Sequence, residues 1–157
     1  MKYSGYILEG IMGEIHEIKK FMLDNKKELQ LFFVFDEQLN TELNCLECLQ
    51  LFCLDNSVYI NDDTLMGLFE LANLDKFCNE KVLNLSIGMK RRLLLLQIFC
   101  VCKQNVFIAG LCENVIGKEI EELDKMILEL STRSNILLGF YSAPATMIYS
   151  NIIELKK

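Results

Sequence analysis

Four short and nearly unbroken apolar runs constrain this chain more than any other feature. They are "LQLFFVF" (residues 29–35), "NVFIAG" (105–110), "NILLGF" (135–140) and "NIIEL" (151–155). Each has the length of a strand and little polar alternation, which suits strands buried on both faces of a sheet. A fifth segment, "SGYILEG" (4–10), is shorter, apolar and bounded by glycines, and also reads as a strand.

Helical patterns separate these runs. Asn44 with Glu47 three residues on forms a capping box, opening a helix that runs to about Leu54. Asp62 and Asp63 precede Leu65, Met66, Phe69 and Ala72, which are spaced for one helical face, and Asn73 is the stop. Ser86 is placed to cap a third helix, through Leu93–Leu96 toward Cys102. Ile120, Leu123, Ile127 and Leu130 mark the inner stripe of a fourth, and Pro144 can open a short one. Residues 14–28 are polar and read as a loop or surface helix. Strands alternating with helices predict an α/β fold, a mostly parallel sheet with crossover helices. No repeat or linker interrupts the 157 residues, so residues 1–157 are expected to form one domain.

Composition narrows the classes of function. The net charge of −6 argues against a nucleic-acid-binding face. Lys19, Lys20, Lys26 and Lys27 alternate with acids as a solvated surface, and so do residues 119–125. Seven cysteines without an apolar leader suggest a reducing cytosol. Cys45 and Cys48 make a C-x-x-C, Cys100 and Cys102 a C-x-C, and His16 is the single histidine. A metal site would want two more well-spaced ligands, so the thiols are expected to be small buried hydrophobes. The apolar stretch 93–112 is broken by Gln97 and by residues 103–105. It therefore falls short of the roughly 20 residues of a membrane span.

The segment "LNLSIGMKRRLLLLQIF" (83–99) resembles the signature segment of an ABC transporter nucleotide-binding domain. Other parts follow in that family's order. "ELNCLECLQLF" resembles the stretch opening the helical subdomain after the glutamine loop. "LANLDKFCNEKVLNLSIGMKRRLLL" resembles the passage into the signature helix. "NVFIAGLCENVIG" takes the slot of the Walker B strand, "NILLGFYSAP" that of the switch-histidine strand, and "SNIIELKK" that of the terminal strand. Before Leu43 the likeness is thinner. There "SGYILEG" resembles the strand following the phosphate-loop helix and "LFFVFDEQ" the strand entering the glutamine loop. The resemblance implies a P-loop-NTPase-like sheet, with a helical subdomain at about 43–84. The signature helix and remaining α/β core would occupy 85–157, and the N-terminal nucleotide-loop part, with its central strand, would be missing.

The family's catalytic residues are not matched. No G-x-x-x-x-G-K-[ST] is present, and Gly117-Lys118 is followed by Glu119. The Walker B aspartate position falls on Ala109 or Gly110, and its glutamate position on Gly110 or Leu111. Glu113 lies beyond, on the loop. The switch-histidine position falls near Tyr141, and the family glutamine aligns with Phe35 or Asp36, with Gln38 reachable only by a shift. Without phosphate cradle, metal ligand and water-positioning group, the chain is not expected to hydrolyse ATP alone.

Ser86 and Gly88 keep two signature positions. In the family these face ATP held by a paired domain, so ATP and Mg²⁺ would be contacted only if a partner chain presented them; otherwise no cofactor is expected. Ile87 replaces a glycine, and Lys90, Arg91 and Arg92 are expected on the exposed face of the helix. The bland reading makes Ser86 a simple helix cap. The chain then reads as a catalytically inactive interaction or regulatory subunit of an ABC transporter. It would be cytoplasmic, or held at the inner face of the membrane through a transporter subunit. Expected partners are an ABC ATPase subunit, a membrane-spanning transporter subunit contacted through residues 37–63, or a second copy. The alternatives are an asymmetric subunit lending its signature in trans, and a small α/β binding protein of an unrelated family.

Overall fold

The computed structural model describes residues 8–28, 31–34, 39–101, 105–115, 117–141 and 152–154. The chain divides into two compact units, residues 1–37 with 103–157, and residues 38–102.

The first unit is built on a five-stranded sheet. Its strands are β1 (Leu8–Met12), β2 (Leu31–Val34), β3 (Asn105–Ala109), β4 (Asn135–Phe140) and β5 (Ile152–Glu154), in the spatial order β2-β3-β4-β1-β5. Every pairing is parallel, as the apolar runs predict. Helix α1 (Ile15–Asp24) joins β1 to β2. A second helix of this unit, spanning Lys118–Ser131, joins β3 to β4. These two connections run in opposite directions along the sheet, so right-handed crossovers put their helices on opposite faces.

The expectation that the sheet lacks its central strand is corrected here. β1 is an interior strand, hydrogen-bonded to β4 on one side and β5 on the other. Sequence reading missed this because parallel neighbours are remote in sequence, and strand order leaves no local mark.

One face of the sheet packs on α1. Ile11, Phe107 and Ala109 form a core with Ile18 and Met22 of the helix, and the rings of Phe21 and Phe107 lie 6.2 Å apart between centroids. The helix comes close because Gly139 presents no side chain. A Cβ there would sit 2.9 Å from Ile18 Cγ2 and 3.2 Å from Phe107 Cζ.

The second unit is helical. It contains α2 (Cys45–Asp55), α3 (Asp62–Leu71) and α4 (Ile87–Val101), with single 3-10 turns at Asp75–Phe77 and Val82–Asn84; the helix of residues 118–131 in the first unit is α5. The capping box read at Asn44 is present. Asn44 Oδ1 accepts from the Glu47 N–H at 2.8 Å, and the Asn44 N–H donates to Glu47 Oε1 at 3.1 Å. α3 is capped by Asn61, one residue before the predicted aspartates, through the Thr64 N–H at 2.8 Å. Leu65, Phe69 and Ala72 are buried as expected, but Met66 is 39% exposed at the margin of that face.

α2 packs on α4, which is buried along nearly its whole length. Arg91 and Arg92, expected on an exposed face, are only 3% and 6% exposed. Arg92 is buried because it has acceptors there: Nη1 donates to Ala72 O at the end of α3 at 2.8 Å, and Nε to Gly88 O at 3.4 Å. A buried guanidinium is tolerated when carbonyls satisfy its donors. The thiols of Cys45, Cys48, Cys53, Cys78 and Cys100 are buried among apolar neighbours, as free cysteine commonly is. Burial, reinforced by the nearby Cys48 and Cys78, pushes the Cys45 thiol up to about 11.

Candidate functional site at the strand ends

In an open parallel sheet, ligands bind outside the carboxyl ends of the strands where the direction of connection reverses. Here β1 alone connects back toward β2, while the other connections run the opposite way. The reversal falls between β1 and β4. Met12, Gly13 and Glu14 end one strand, Phe140 and Tyr141 the other, and residues 110–113 flank them beyond β3.

β1, its turn and α1 form a strand–turn–helix unit, the arrangement in which a phosphate loop lies. The turn is short. Gly13 and Glu14 alone separate Met12 from Ile15, and the Gly13 N–H is already used by Phe140 O at 3.0 Å. A phosphate loop needs several consecutive free amides to wrap the anion, and its lysine besides. Instead, Glu17 Oε2 accepts the Glu14 N–H at 2.8 Å, and Glu17 Oε1 is buried without a hydrogen-bond partner. His16 Nδ1 lies 3.4 Å from Glu14 Oε2. The positive end of α1 therefore meets the protein's own carboxylates, and a phosphate placed there would meet like charge.

Tyr141 stands on the far side of the crevice, partly buried. Gly110 adopts φ +79, and a Cβ on it would lie 3.1 Å from the Tyr141 ring. Tyr141 also packs against the core formed by Ile11, Ile18, Met22, Phe107 and Ala109. Glu113, expected on the loop, turns back: its Oε1 accepts the Tyr141 N–H at 2.8 Å and fastens the ends of β3 and β4 together. Its carboxylate is thus committed to the backbone. Ala109 ends β3 and Leu111 is buried, so the positions aligned with the Walker B acids carry no carboxylate. The glutamine-loop positions Phe35, Asp36 and Gln38, and the turn at Pro144, lie outside the described residues.

In the helical unit, Ser86 Oγ accepts the Met89 N–H at 3.1 Å, the bond of a helix cap. Ser86 and Ile87 are exposed and Gly88 is buried. Gly88 O receives Arg92 Nε, so the arginine holds the first turn of α4 against the end of α3. The role of Arg92 and the closure by Glu113 and Tyr141 were not foreseen. Both depend on long-range contacts, although an arginine pair amid leucines and a glycine just after β3 were visible signals.

No protein-family model matches the chain, and no curated protein matches it. Solved structures do. A Pyrococcus furiosus protein assigned as an ABC transporter ATP-binding protein aligns with a TM-score of 0.74 at 13% identity, covering 94% of this chain and 84% of its own. A dimeric ATP-binding cassette in a post-hydrolysis state bound to ADP and Pi aligns at 0.66 and 14% identity, with 90% and 78% covered. An inward-facing ABC transporter assigned to the metal-chelate type aligns at 0.68 and 9% identity, with 84% of this chain and 61% of that one covered. The chain has the fold of ABC transporter ATP-binding domains. No described helix is long and apolar enough to cross a membrane.

Proposed function

We propose that this chain is a catalytically inactive, ABC-ATPase-like subunit that acts by interaction within an ABC transporter. The observation carrying this reading is the β1–α1 turn. Where a phosphate loop would cradle the anion, a turn formed by Gly13 and Glu14 lies against the carboxylate of Glu17. With Tyr141 and Glu113 at the crevice, the described residues bordering it, 12–14, 110–113 and 140–141, include no lysine or arginine to neutralise phosphoryl charge.

Exposed apolar side chains on the helical unit suit contact with a partner. Leu51, Leu54 and Tyr59 lie within the stretch 37–63 singled out from sequence, and Met66 lies just beyond. The partner is a membrane-spanning transporter subunit or an intact ATPase. On this reading the chain sits at the inner face of a membrane through that partner. One of the aligned structures is a transporter and another a dimer, which fits either arrangement.

A second reading rests on the exposure of Ser86 at the start of α4: the chain lends its signature, Ser86 and Gly88, to ATP held by an intact partner. The test is retrieval of partners by the tagged chain from its native cells with and without MgATP, alongside equilibrium binding of a fluorescent ATP analogue to the isolated chain. Inactivity predicts no saturable binding by the chain alone and capture of a transporter component. Saturable binding with turnover would refute it. Capture that needs ATP and is lost in Ser86→Arg would favour the signature in trans, whereas partner turnover unchanged by Ser86→Arg would exclude that role.

A further inference from the structure

One exposed face of the helical unit joins apolar side chains to charge of a single sign. No lysine or arginine occurs between Lys27 and Lys76. On α2, Glu47, Leu51 and Leu54 follow one another at helical spacing along one exposed face, and Asp55 adjoins Leu54. The last turn of α2 holds no basic residue, so the negative end of the helix adds to these acids.

The turn that follows is fastened at both ends. Ser57 adopts φ +56, the Val58 N–H donates to Cys53 O at 2.8 Å, and the Ser57 N–H donates to Leu54 O at 3.1 Å, which together make a Schellman ending. Asn61 then caps α3, whose first turn carries Asp62 and Asp63. Between the two fastened ends Tyr59 is 93% exposed, and Leu54 at the end of α2 is 73% exposed. Backbone bonds thus hold an aromatic ring and two leucines out in water within an acidic rim. A face arranged in advance docks with little cost of ordering.

The same chain carries the complement. Lys19 and Lys20 lie one turn before Leu23 on α1, and Lys26 and Lys27 follow the end of that helix. Asp24 is the single acid among residues 19–27. Leu23 is 63% exposed, because Ile18 and Met22 turn the other side of α1 to the sheet. An anionic surface, of lipid or of nucleic acid, would be repelled by the α2 face, whereas a second copy brings four lysines and a leucine to it.

From these opposite and exposed faces on one molecule, we infer that the chain associates with a second copy head to tail, the lysine-ringed Leu23 of one seating against Leu51, Leu54 and Tyr59 of the other. The contact joins unlike surfaces, so it closes into a pair where it is mutual and otherwise extends into a row of copies. Self-association does not depend on the transporter reading. A copy seated on the α2 face does cover the surface proposed above for a transporter partner, so it withholds that surface until such a partner displaces it.

The test is sedimentation velocity of the full chain from about 1 μM to about 1 mM. Apparent mass should rise with concentration above the 18.2 kDa of one chain. Association should weaken roughly tenfold or more between about 0.1 M and about 1 M salt, as the screening length falls from about 10 Å to about 3 Å. Two charge-reversed chains separate the faces: Asp55→Lys with Asp62→Lys, and Lys20→Glu with Lys26→Glu. All four residues are exposed, and circular dichroism checks that both chains fold. Each reversed chain should stay monomeric alone, and an equimolar mixture of the two should associate, since each supplies the face that the other has lost. An unaltered chain that stays monomeric to about 1 mM overturns the inference, as does association indifferent to salt. Undiminished association of either reversed chain alone, or a folded mixture that stays monomeric, overturns it equally. None of these results bears on capture of a transporter component, which is read with other proteins present.

Discussion

Gly139 is where α1 comes closest to the sheet, and Gly139→Ala tests whether that approach sets the position of the β1–α1 unit. The added methyl would meet Ile18 Cγ2 at 2.9 Å, Phe107 Cζ at 3.2 Å and the Ala109 backbone at 3.4 Å. The first contact is shorter than real side chains tolerate, and both side chains sit in a packed core. Overpacking of this kind costs about 1–3 kcal/mol. Removing a glycine lowers unfolded-chain entropy and returns about 0.4–1 kcal/mol. The net expectation is destabilisation by about 1–2 kcal/mol, a fall in Tm of roughly 2–8 °C for a chain of this size. Urea denaturation should show a lower midpoint with an unchanged slope. Gly67→Ala is the control, since Gly67 lies mid-helix in α3 with nothing within 4 Å of a Cβ. That variant should be stabilised by about 1 kcal/mol. On an Ile18→Ala background the Gly139→Ala penalty should shrink, because the nearest contact is gone. A neutral or stabilising Gly139→Ala would refute the close-packing argument.

Three further outcomes follow from the helical unit. Gln97 is 2% exposed, its Oε1 has no hydrogen-bond partner, and Nε2 has only Cys48 Sγ at 3.7 Å, so Gln97→Met should raise the unfolding free energy by about 1–2 kcal/mol, read as a higher denaturation midpoint. Loss of stability would show that the amide carbonyl is satisfied after all. The Cys45 thiol is raised from 9.0 to about 11 by burial and by Cys48 and Cys78, so the unfolded chain releases its proton first. Its share of stability is whole below pH 9.0 and declines as pH rises toward about 11, and Cys45→Ala should flatten that decline in pH-resolved melts. A slope indifferent to the substitution would mean that other groups govern it. Asn44→Ala removes the cap that accepts the Glu47 N–H and should cost about 1 kcal/mol by the same denaturation assay, and no change would mean that α2 does not depend on its cap.

Sequence periodicity located the strands and helices to within a few residues, since each signal is local. The capping box at Asn44, the stripe at Leu123, Ile127 and Leu130, and the buried runs of β3 and β4 all depend on neighbours a few positions away. The order of the strands does not, and the interior place of β1 went unread for that reason. Arg91 and Arg92 were assigned to solvent on charge alone, when the carbonyls at Ala72 and Gly88 made burial of Arg92 affordable. At the site, the missing Walker residues were legible as absences, whereas the closure by Glu113 and Tyr141 needs β3 and β4 side by side.

The interior position of β1 also bears on how the protein is made. β1 is the first of the described strands to leave the ribosome, yet its neighbours are Ile136–Phe140 and Ile152–Glu154. Until those segments emerge, an apolar strand waits with its backbone groups unpaired, the condition in which nascent chains aggregate or recruit chaperones. Such remote pairing slows folding, because loop closure must precede any gain from contact. Chains stopped before Asn135 should therefore be protease-sensitive near Leu8–Met12, and protection there should appear only as the last segments arrive. The earliest-made of the described strands is among the last of them to find its place.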